Sequence, residues 1–265
     1  MPIIISSKDN ERVKYTKSLL KNKNRQKESK FIIEGYRILT LAIECKADLD
    51  YVFINEDFEN KEEHKNFLSI LKNNKIKIFK TTNKIFKELV DTENTQGILG
   101  VVKFKERKID NNISCNDKFV LILDRIQDPG NMGTIIRTAD AAGVDAIIAL
   151  KGSVDIYNPK VIRSTMGSIF DMNIINCTQE ECIKKLREED FKIVSSYLNT
   201  DNYYHETKYE NKIALVIGNE ANGVNDDLIK ESDILVKIPI YGNAESLNAA
   251  ISSAILMYEI KKYLG

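Results

Sequence analysis

The feature that most constrains the fold of this chain is a series of short, almost wholly apolar runs, of which residues 119–124 (FVLILD) are the clearest. Such runs are typical of strands that are buried on both faces of a sheet. Helical patterns separate the runs, and this alternation favours a mostly parallel, doubly wound sheet. The predicted strands are 119–124, 145–150, 172–175, 192–196, 213–217 and 234–238, and the predicted helices are 131–142, 159–168, 180–189 and 246–263.

The first part of the chain shows a similar α/β alternation. It predicts a short strand and a helix within FIIEGYRILTLAIE, strands at 51–54, 76–79 and 98–104, and helices near 62–73 and 84–89. The polar stretch 105–117 has no apolar periodicity and several turn-forming residues, so we place a domain boundary near residue 112. The sequence therefore predicts two α/β domains, residues 1–112 and 113–265.

Composition excludes several classes of protein. No run approaches the roughly 20 apolar residues that span a bilayer. The first residues, MPIIISSKDNERVKY, turn polar too early for a secretory signal, so we expect a cytoplasmic protein. Cys45, Cys115, Cys177 and Cys182 form no CxxC pair, and the chain has only two histidines. We therefore predict reduced thiols, no disulfide and no metal site.

Charge is distributed unevenly along a chain whose net charge is zero. Residues 1–40 contain ten basic and four acidic side chains, whereas residues 117–265 contain sixteen basic and twenty-two acidic ones. Lysines at helical spacing are common on solvated helices, which is one explanation of the basic segment. Contact with nucleic-acid phosphates is the other, and the sequence leaves both open.

One loop whose residues could take part in binding or catalysis is DRIQDPGNMGTIIRTADAAG, residues 124–143. Pro129 and Gly130 form a turn, after which Asn131 is a candidate cap for the helix that carries Arg137. A helix start offers free N–H groups, and Arg137 adds a permanent cation, a combination that suits an oxyanion or phosphate. An ordinary capped helix with an exposed arginine fits the same residues.

Two further loops follow apolar strands. In IALVIGNEANGV, Gly218 permits close approach to the backbone, and Glu220 is either idle in solvent or a fixed acceptor in a cleft. In VKIPIYGNAESLNAAISSAILMYE, Ser246 and Asn248 open a helix, with Ser246 as a possible plain N-cap. Small residues on that helix suit deep burial or a dimer interface. GxGxxG, GxxxxGK[ST] and GxSxG are missing, so the residues alone indicate only an anion-binding α/β cleft.

Taken in order, the three loops resemble the motifs of the SpoU (TrmH-like) branch of the SPOUT RNA methyltransferases. The matching segments are NMGTIIRTADAAG, LVIGNEANGV and IPIYGNAESLNAAISSA. FIIEGYRILTLAIE and TQGILGVV are similar to the L30e-like substrate-binding domain of this family. The resemblance implies an N-terminal L30e-like α/β domain and a C-terminal SPOUT domain with a parallel sheet and a trefoil knot over residues 216–254. It also implies a homodimer with its active site at the subunit interface.

The activity implied by the resemblance is methyl transfer from S-adenosylmethionine to a ribose 2′-hydroxyl of structured RNA. The expected substrate is 23S ribosomal RNA; transfer RNA, a non-catalytic RNA-binding role and an enzyme for another adenosine-containing ligand are the alternatives. Because guanidinium stays protonated in proteins, we expect the arginine to stabilise the developing alkoxide as a cation. The family's catalytic and substrate positions fall on Arg137, Asn131, Glu220, Ser246 and Asn248, and its cofactor positions on Gly218, Ile238 and Leu247.

Overall fold

The computed structural model describes residues 2–264, in which the chain forms two compact units. One unit comprises the chain up to Lys105 together with Tyr157–Phe170, and the other comprises Glu106–Ile156 and the chain from Asp171 onward. None of the helices within residues 2–264 is long and apolar enough to cross a membrane.

Strands and helices alternate along the chain. The first half forms β1 (Ile3–Ile5), α1 (Glu11–Ser18), α2 (Asn22–Glu28), β2 (Lys30–Glu34), α3 (Tyr36–Glu44), β3 (Leu49–Asn55), α4 (Glu56–Asn60), α5 (Lys65–Asn73), β4 (Lys77–Thr81), α6 (Asn83–Phe86) and β5 (Ile98–Lys103). The second half forms β6 (Phe119–Leu123), α7 (Pro129–Ala141), β7 (Ala146–Leu150), α8 (Pro159–Thr165), β8 (Ile174–Cys177), α9 (Gln179–Glu188), β9 (Lys192–Ser196), β10 (Ile213–Ile217), α10 (Asp226–Lys230), β11 (Ile234–Val236) and α11 (Ala249–Leu264).

The first unit is built on a five-stranded sheet with the order β1-β4-β3-β5-β2. β1, β4 and β3 run parallel, whereas β5 is antiparallel to both of its neighbours. Aromatic side chains of the central strands fill one face of this sheet, with Tyr51, Phe53 and Phe79 buried in contact. In the same unit, the Tyr157 ring stacks on Phe31 and Phe104 with centroid distances of 4.6 and 4.0 Å.

The second unit contains a six-stranded sheet with the order β11-β9-β10-β6-β7-β8, and every pair of neighbours is parallel. In each of β6, β7 and β10 all five residues are buried, as strands covered on both faces require. The mixed α/β fold and the parallel sheet expected from the sequence are thereby confirmed. The trefoil knot stays a prediction.

The middle of this sheet is where the site residues gather. The chain proceeds outward from β6 through β7 to β8, whereas β10 lies on the other side of β6. In parallel sheets, the crevice at the carboxyl ends of the strands where the order reverses is the usual ligand site. The loops after β6 and β10 meet there, and the Asp124 N–H donates to the Ile217 carbonyl at 2.9 Å.

Candidate active site

The loop after β10 depends on Gly218, which is buried. A Cβ at this position would lie 2.1 Å from the Val224 backbone nitrogen and 2.2 Å from the Gly223 carbonyl carbon. Asn219 and Gly223 exchange backbone hydrogen bonds of 3.0 and 2.9 Å, so the chain folds back immediately beyond the glycine. Only glycine permits this backbone-to-backbone packing, which places Glu220 in the turn.

Glu220 is exposed and nevertheless fixed. Its Oε1 accepts from the Asp128 N–H at 3.2 Å and from Asn131 Nδ2 at 3.0 Å, and its Oε2 accepts from the Gln127 N–H at 3.2 Å. Partial burial acts to raise the pKa of Glu220, but hydrogen bonds from Asn131 and the backbone outweigh burial and hold the pKa below the ordinary glutamate value. Of the two sequence interpretations, the fixed acceptor is correct.

Asn131 does not cap α7, which corrects the prediction. The helix begins at Pro129, and the Asp128 carboxylate caps it by accepting from the Asn131 N–H at 2.8 Å. Proline suits the first helical position because its φ is already helical and it has no N–H to satisfy. The Asn131 side chain is therefore available to bind other groups, and it donates to Glu220.

Asn248, and not Ser246, begins the last helix. The predicted helix 246–263 starts instead at Ala249, because Asn248 Oδ1 accepts from the N–H groups of Ala250 and Ile251 at 2.9 and 3.4 Å. Asn248 Nδ2 donates to Asn131 Oδ1 at 2.9 Å. Asn248, Asn131 and Glu220 thus form a continuous polar chain that joins the three predicted loops.

A cavity of about 540 Å³ lies beyond the carboxyl ends of β9, β10 and β11. The three predicted cofactor positions all line it, together with Glu220 and Ser246: Gly218 at the end of β10, Ile238 after β11, and Leu247 before α11. Its volume falls within the roughly 300–1,000 Å³ typical of small-molecule sites. Backbone and apolar groups of several loops therefore meet at one potential ligand site.

Arg137 lies apart from this cavity. Its side chain is exposed on α7, does not line the cavity, and forms no hydrogen bond or ion pair within residues 2–264. It follows Asn131 by six positions, which on an α-helix means a different face and about 9 Å along the axis. One chain therefore brings together seven of the eight predicted residues around the polar chain and cavity, but not Arg137.

Sequence reasoning missed several residues that shape the site. Asp128 was identifiable, because an aspartate directly before a proline is a common helix start. Asp124 and Arg125, which hold the loop after β10, carry no such signal, since Asp124 simply ends an apolar run. Within residues 2–264, no group of three histidine, cysteine or acidic side chains could hold a metal ion.

Comparison with known proteins is consistent with this geometry. The sequence model of the SpoU rRNA Methylase family matches residues 118–258, and that of the MRM3-like substrate binding domain matches residues 10–100. A 23S rRNA (guanosine(2553)-2'-O)-methyltransferase of Bacillus subtilis is 32% identical over 97% of this chain and 98% of its own. The AdoMet-bound rRNA methyltransferase of Sinorhizobium meliloti superposes with a TM-score of 0.89 at 27% identity, covering 99% and 98% of the two chains. An RNA 2'-O ribose methyltransferase covers 99% of each chain, with a TM-score of 0.84 and 26% identity.

Proposed function

The chain belongs to the SpoU rRNA methylase family and is an S-adenosylmethionine-dependent RNA 2′-O-ribose methyltransferase, and we propose that the RNA it methylates is 23S ribosomal RNA. The observation that carries this proposal is the similarity to the Bacillus subtilis 23S enzyme over nearly the whole length of both chains. An uncharacterized tRNA/rRNA methyltransferase of Borreliella burgdorferi, 31% identical over 82% of this chain, keeps transfer RNA as the second candidate. We also propose a cytoplasmic location, which a ribosomal substrate would support.

We assign the cofactor to the cavity lined by Gly218, Ile238 and Leu247. The fit is chemical, since Ile238, Ile240 and Leu247 present apolar surface, and polar residues such as Asn199, Asn219 and Ser246 line the same cavity. When bound, S-adenosylmethionine supplies a methyl group already activated by its sulfonium. The chain then has to position the ribose hydroxyl and stabilise its oxygen as the proton leaves, and positioning alone contributes on the order of 7–11 kcal/mol.

The polar chain borders this cavity through Glu220, and its groups suit the task of positioning. The Glu220 carboxylate is an anionic acceptor held by three donors, and the amides of Asn131 and Asn248 link it to the start of α11. We assign these side chains, with Ser246, to alignment of the loops and the ribose. Arg137 is assigned to the developing alkoxide or the adjacent phosphate, as a cation.

Because Arg137 does not line the cavity of its own chain, we propose a homodimer in which it serves this role at the site of a second copy. α7, which carries Arg137, packs against α11. On α11, Ile251, Ile255 and Tyr258 recur at helical spacing, and Ile251 and Tyr258 are each 53% exposed. An exposed apolar stripe at this spacing is typical of a helix that packs against a partner. In such a dimer Arg137 of one copy would complete the cavity of the other.

We also propose that the basic N-terminal segment contacts RNA phosphates, and the structure narrows the candidates. Arg25 is buried and donates to the carbonyls of Leu19 and Leu20, so it has a structural role. Exposed cations that form no ion pair within residues 2–264 include Lys21, Lys23 and Arg37.

We further propose the domain boundary near residue 112. The match to the substrate-binding domain ends at residue 100 and the match to the methylase family begins at residue 118, which supports a boundary between them.

Transfer of labelled methyl groups from S-adenosylmethionine to separate pools of ribosomal and transfer RNA tests the substrate. We expect the wild type to label large-subunit ribosomal RNA and to make one linkage resistant to alkaline hydrolysis. Arg137→Ala should lose the label, whereas Asp140→Ala, an exposed residue on the same helix, should retain it. Label confined to transfer RNA would overturn the assignment to ribosomal RNA.

A further inference from the structure

Asp124 and Arg125, directly after β6, form an ion pair that contacts the loop after β10; the Asp124 side chain is buried, whereas that of Arg125 is 32% exposed. Asp124 is 2% exposed, and its carboxylate accepts from Arg125 Nε at 2.8 Å and Nη2 at 2.9 Å. The second oxygen, Oδ2, also accepts from the Asn225 N–H at 2.8 Å. Both carboxylate oxygens are therefore used, and one bond reaches across to the chain after β10.

Arg125 adds two further bonds to the same part of the chain. Its Nη2 donates to the Gly223 carbonyl at 3.3 Å, and its own carbonyl accepts from Asn219 Nδ2 at 2.9 Å. With the Asn225 bond, the pair holds the segment 219–225 at its beginning, near its middle and at its end. This segment carries Glu220 and lines the 540 Å³ cavity.

The backbone of Arg125 is also in an unfavourable conformation. Its φ is +56°, in the left-handed region that residues with a Cβ rarely adopt. Such strain persists only where surrounding contacts impose it, and it concentrates at functional sites. An ion pair whose carboxylate is buried is by itself weak support for stability, because desolvation of the carboxylate offsets the attraction. Fixing one loop conformation is a better explanation of this pair than stabilising the fold in general.

We propose that Asp124 and Arg125 are positioning residues for methyl transfer, which act through the segment 219–225 to hold Glu220 and one wall of the cofactor cavity. This inference rests on the assignment of the cofactor to that cavity. Neither side chain is required to touch the reacting atoms. Removing the arginine should release the Gly223 and Asp124 bonds while leaving Glu220 itself intact.

The first test is the variant Arg125→Gln with the matched control Arg187→Gln. Arg187 also pairs with a carboxylate, Asp233, at 2.6 Å, and donates to the Glu231 carbonyl, but these residues do not line the cavity. We expect Arg125→Gln to lower kcat on the order of 10- to 100-fold, the effect of small misplacements in an active site. Arg187→Gln should keep kcat within about twofold even though it also loses an ion pair. Equal kcat values in the two variants would overturn the proposal.

Combination with Glu220→Gln separates positioning from a general structural defect. If Arg125 acts through Glu220, the double variant should have a kcat close to that of Glu220→Gln alone, because the two changes are coupled. Losses of kcat that multiply fully in the double variant would contradict the proposal.

Titration of S-adenosylhomocysteine into wild type and Leu247→Asp checks the underlying cofactor assignment independently. Weakened binding in Leu247→Asp with wild-type kcat in Arg125→Gln would overturn only the positioning role; unchanged binding would overturn the cofactor assignment.

Discussion

Glu220 combines exposure with a fixed position, since its carboxylate accepts hydrogen bonds from Gln127, Asp128 and Asn131. Two of these donors are backbone N–H groups at the start of α7, where the helix dipole favours a negative charge. At the scale of single residues, the hydrogen-bond partners of a side chain thus decide its role more than its degree of burial does. The ionised form of Glu220 is the one that these donors stabilise.

This stabilisation predicts a pH dependence. The pKa of Glu220 in the folded chain lies below its ordinary value of 4.5, so the unfolded chain binds the proton first as the pH falls. The contribution of Glu220 to stability should be present above pH 4.5 and disappear as the pH drops through the lower, folded pKa. Denaturant unfolding of wild type and Glu220→Gln should therefore show a difference in unfolding free energy that shrinks on acidification from neutral pH to below 4.5. A difference that is constant with pH would contradict this account.

The close backbone packing around Gly218 predicts that a side chain at this position lowers the stability of the fold. In Gly218→Ala the new methyl would lie 2.1 Å from a backbone nitrogen, so the loop must shift, and we expect a loss of roughly 1–3 kcal/mol in unfolding free energy. The control is Gly242→Ala, where no atom lies within 4 Å of the new methyl and the change should be within about 0.5 kcal/mol. Urea unfolding of the two variants makes the comparison. Equal stability would show that the backbone packing around Gly218 is not needed.

The role assigned to Arg137 predicts that the methyl-transfer rate depends on the charge and the shape of the side chain at this position. If its charge alone stabilises the developing alkoxide, Arg137→Lys should retain part of the methyl-transfer rate, whereas a requirement for two parallel hydrogen bonds would leave little. Arg137→Ala should be slower than either. Single-turnover rates with saturating cofactor provide the measurement. A rate for Arg137→Lys equal to that of the wild type would contradict both versions of the role.

At the scale of elements, strands were more predictable than helix ends. All six predicted strands of the second unit exist, with ends that differ by no more than two residues, because burial on both faces leaves an unbroken apolar run. The predicted starts of α7 and α11 were wrong. Near the start of each helix lie two residues of types that cap helices well, Asp128 and Asn131 for α7 and Ser246 and Asn248 for α11. Sequence alone does not say which side chain turns toward the helix. The bond from Asn248 to Asn131 spans 117 positions, a pairing that only the folded sheet reveals.

The corrected start of α11 makes a prediction about stability. Asn248→Ala removes the cap and should lower the unfolding free energy by about 1 kcal/mol. Ser246→Ala changes a residue in an exposed loop before the helix and should stay within about 0.5 kcal/mol. Thermal and denaturant unfolding would resolve the difference. A larger effect at Ser246 than at Asn248 would restore the helix start that the sequence predicted.

At the scale of the whole molecule, the sequence predicted a parallel α/β sheet preceded by a smaller α/β part, and the resemblance supplied the reaction. Composition could not reveal that one copy leaves Arg137 outside the cavity, because the faces of α7 are defined only in the folded chain. Mixing Arg137→Ala with Leu247→Asp tests the proposed dimer. Mixed dimers would contain one intact site, so activity should return to about a quarter of the wild-type value, given random assembly of isologous dimers. No recovery despite demonstrated subunit exchange would contradict the shared site.

The cavity between the loops after β9, β10 and β11 is assigned to the cofactor, with the polar chain beside it. Calorimetric titration of S-adenosylhomocysteine into wild type, Gly242→Ala and Leu247→Asp tests this assignment of the cofactor site. We predict equal affinities for wild type and Gly242→Ala, and a loss of roughly tenfold or more for Leu247→Asp, which places a carboxylate against an apolar wall. Binding to Leu247→Asp with the wild-type affinity would contradict this assignment and place the cofactor elsewhere.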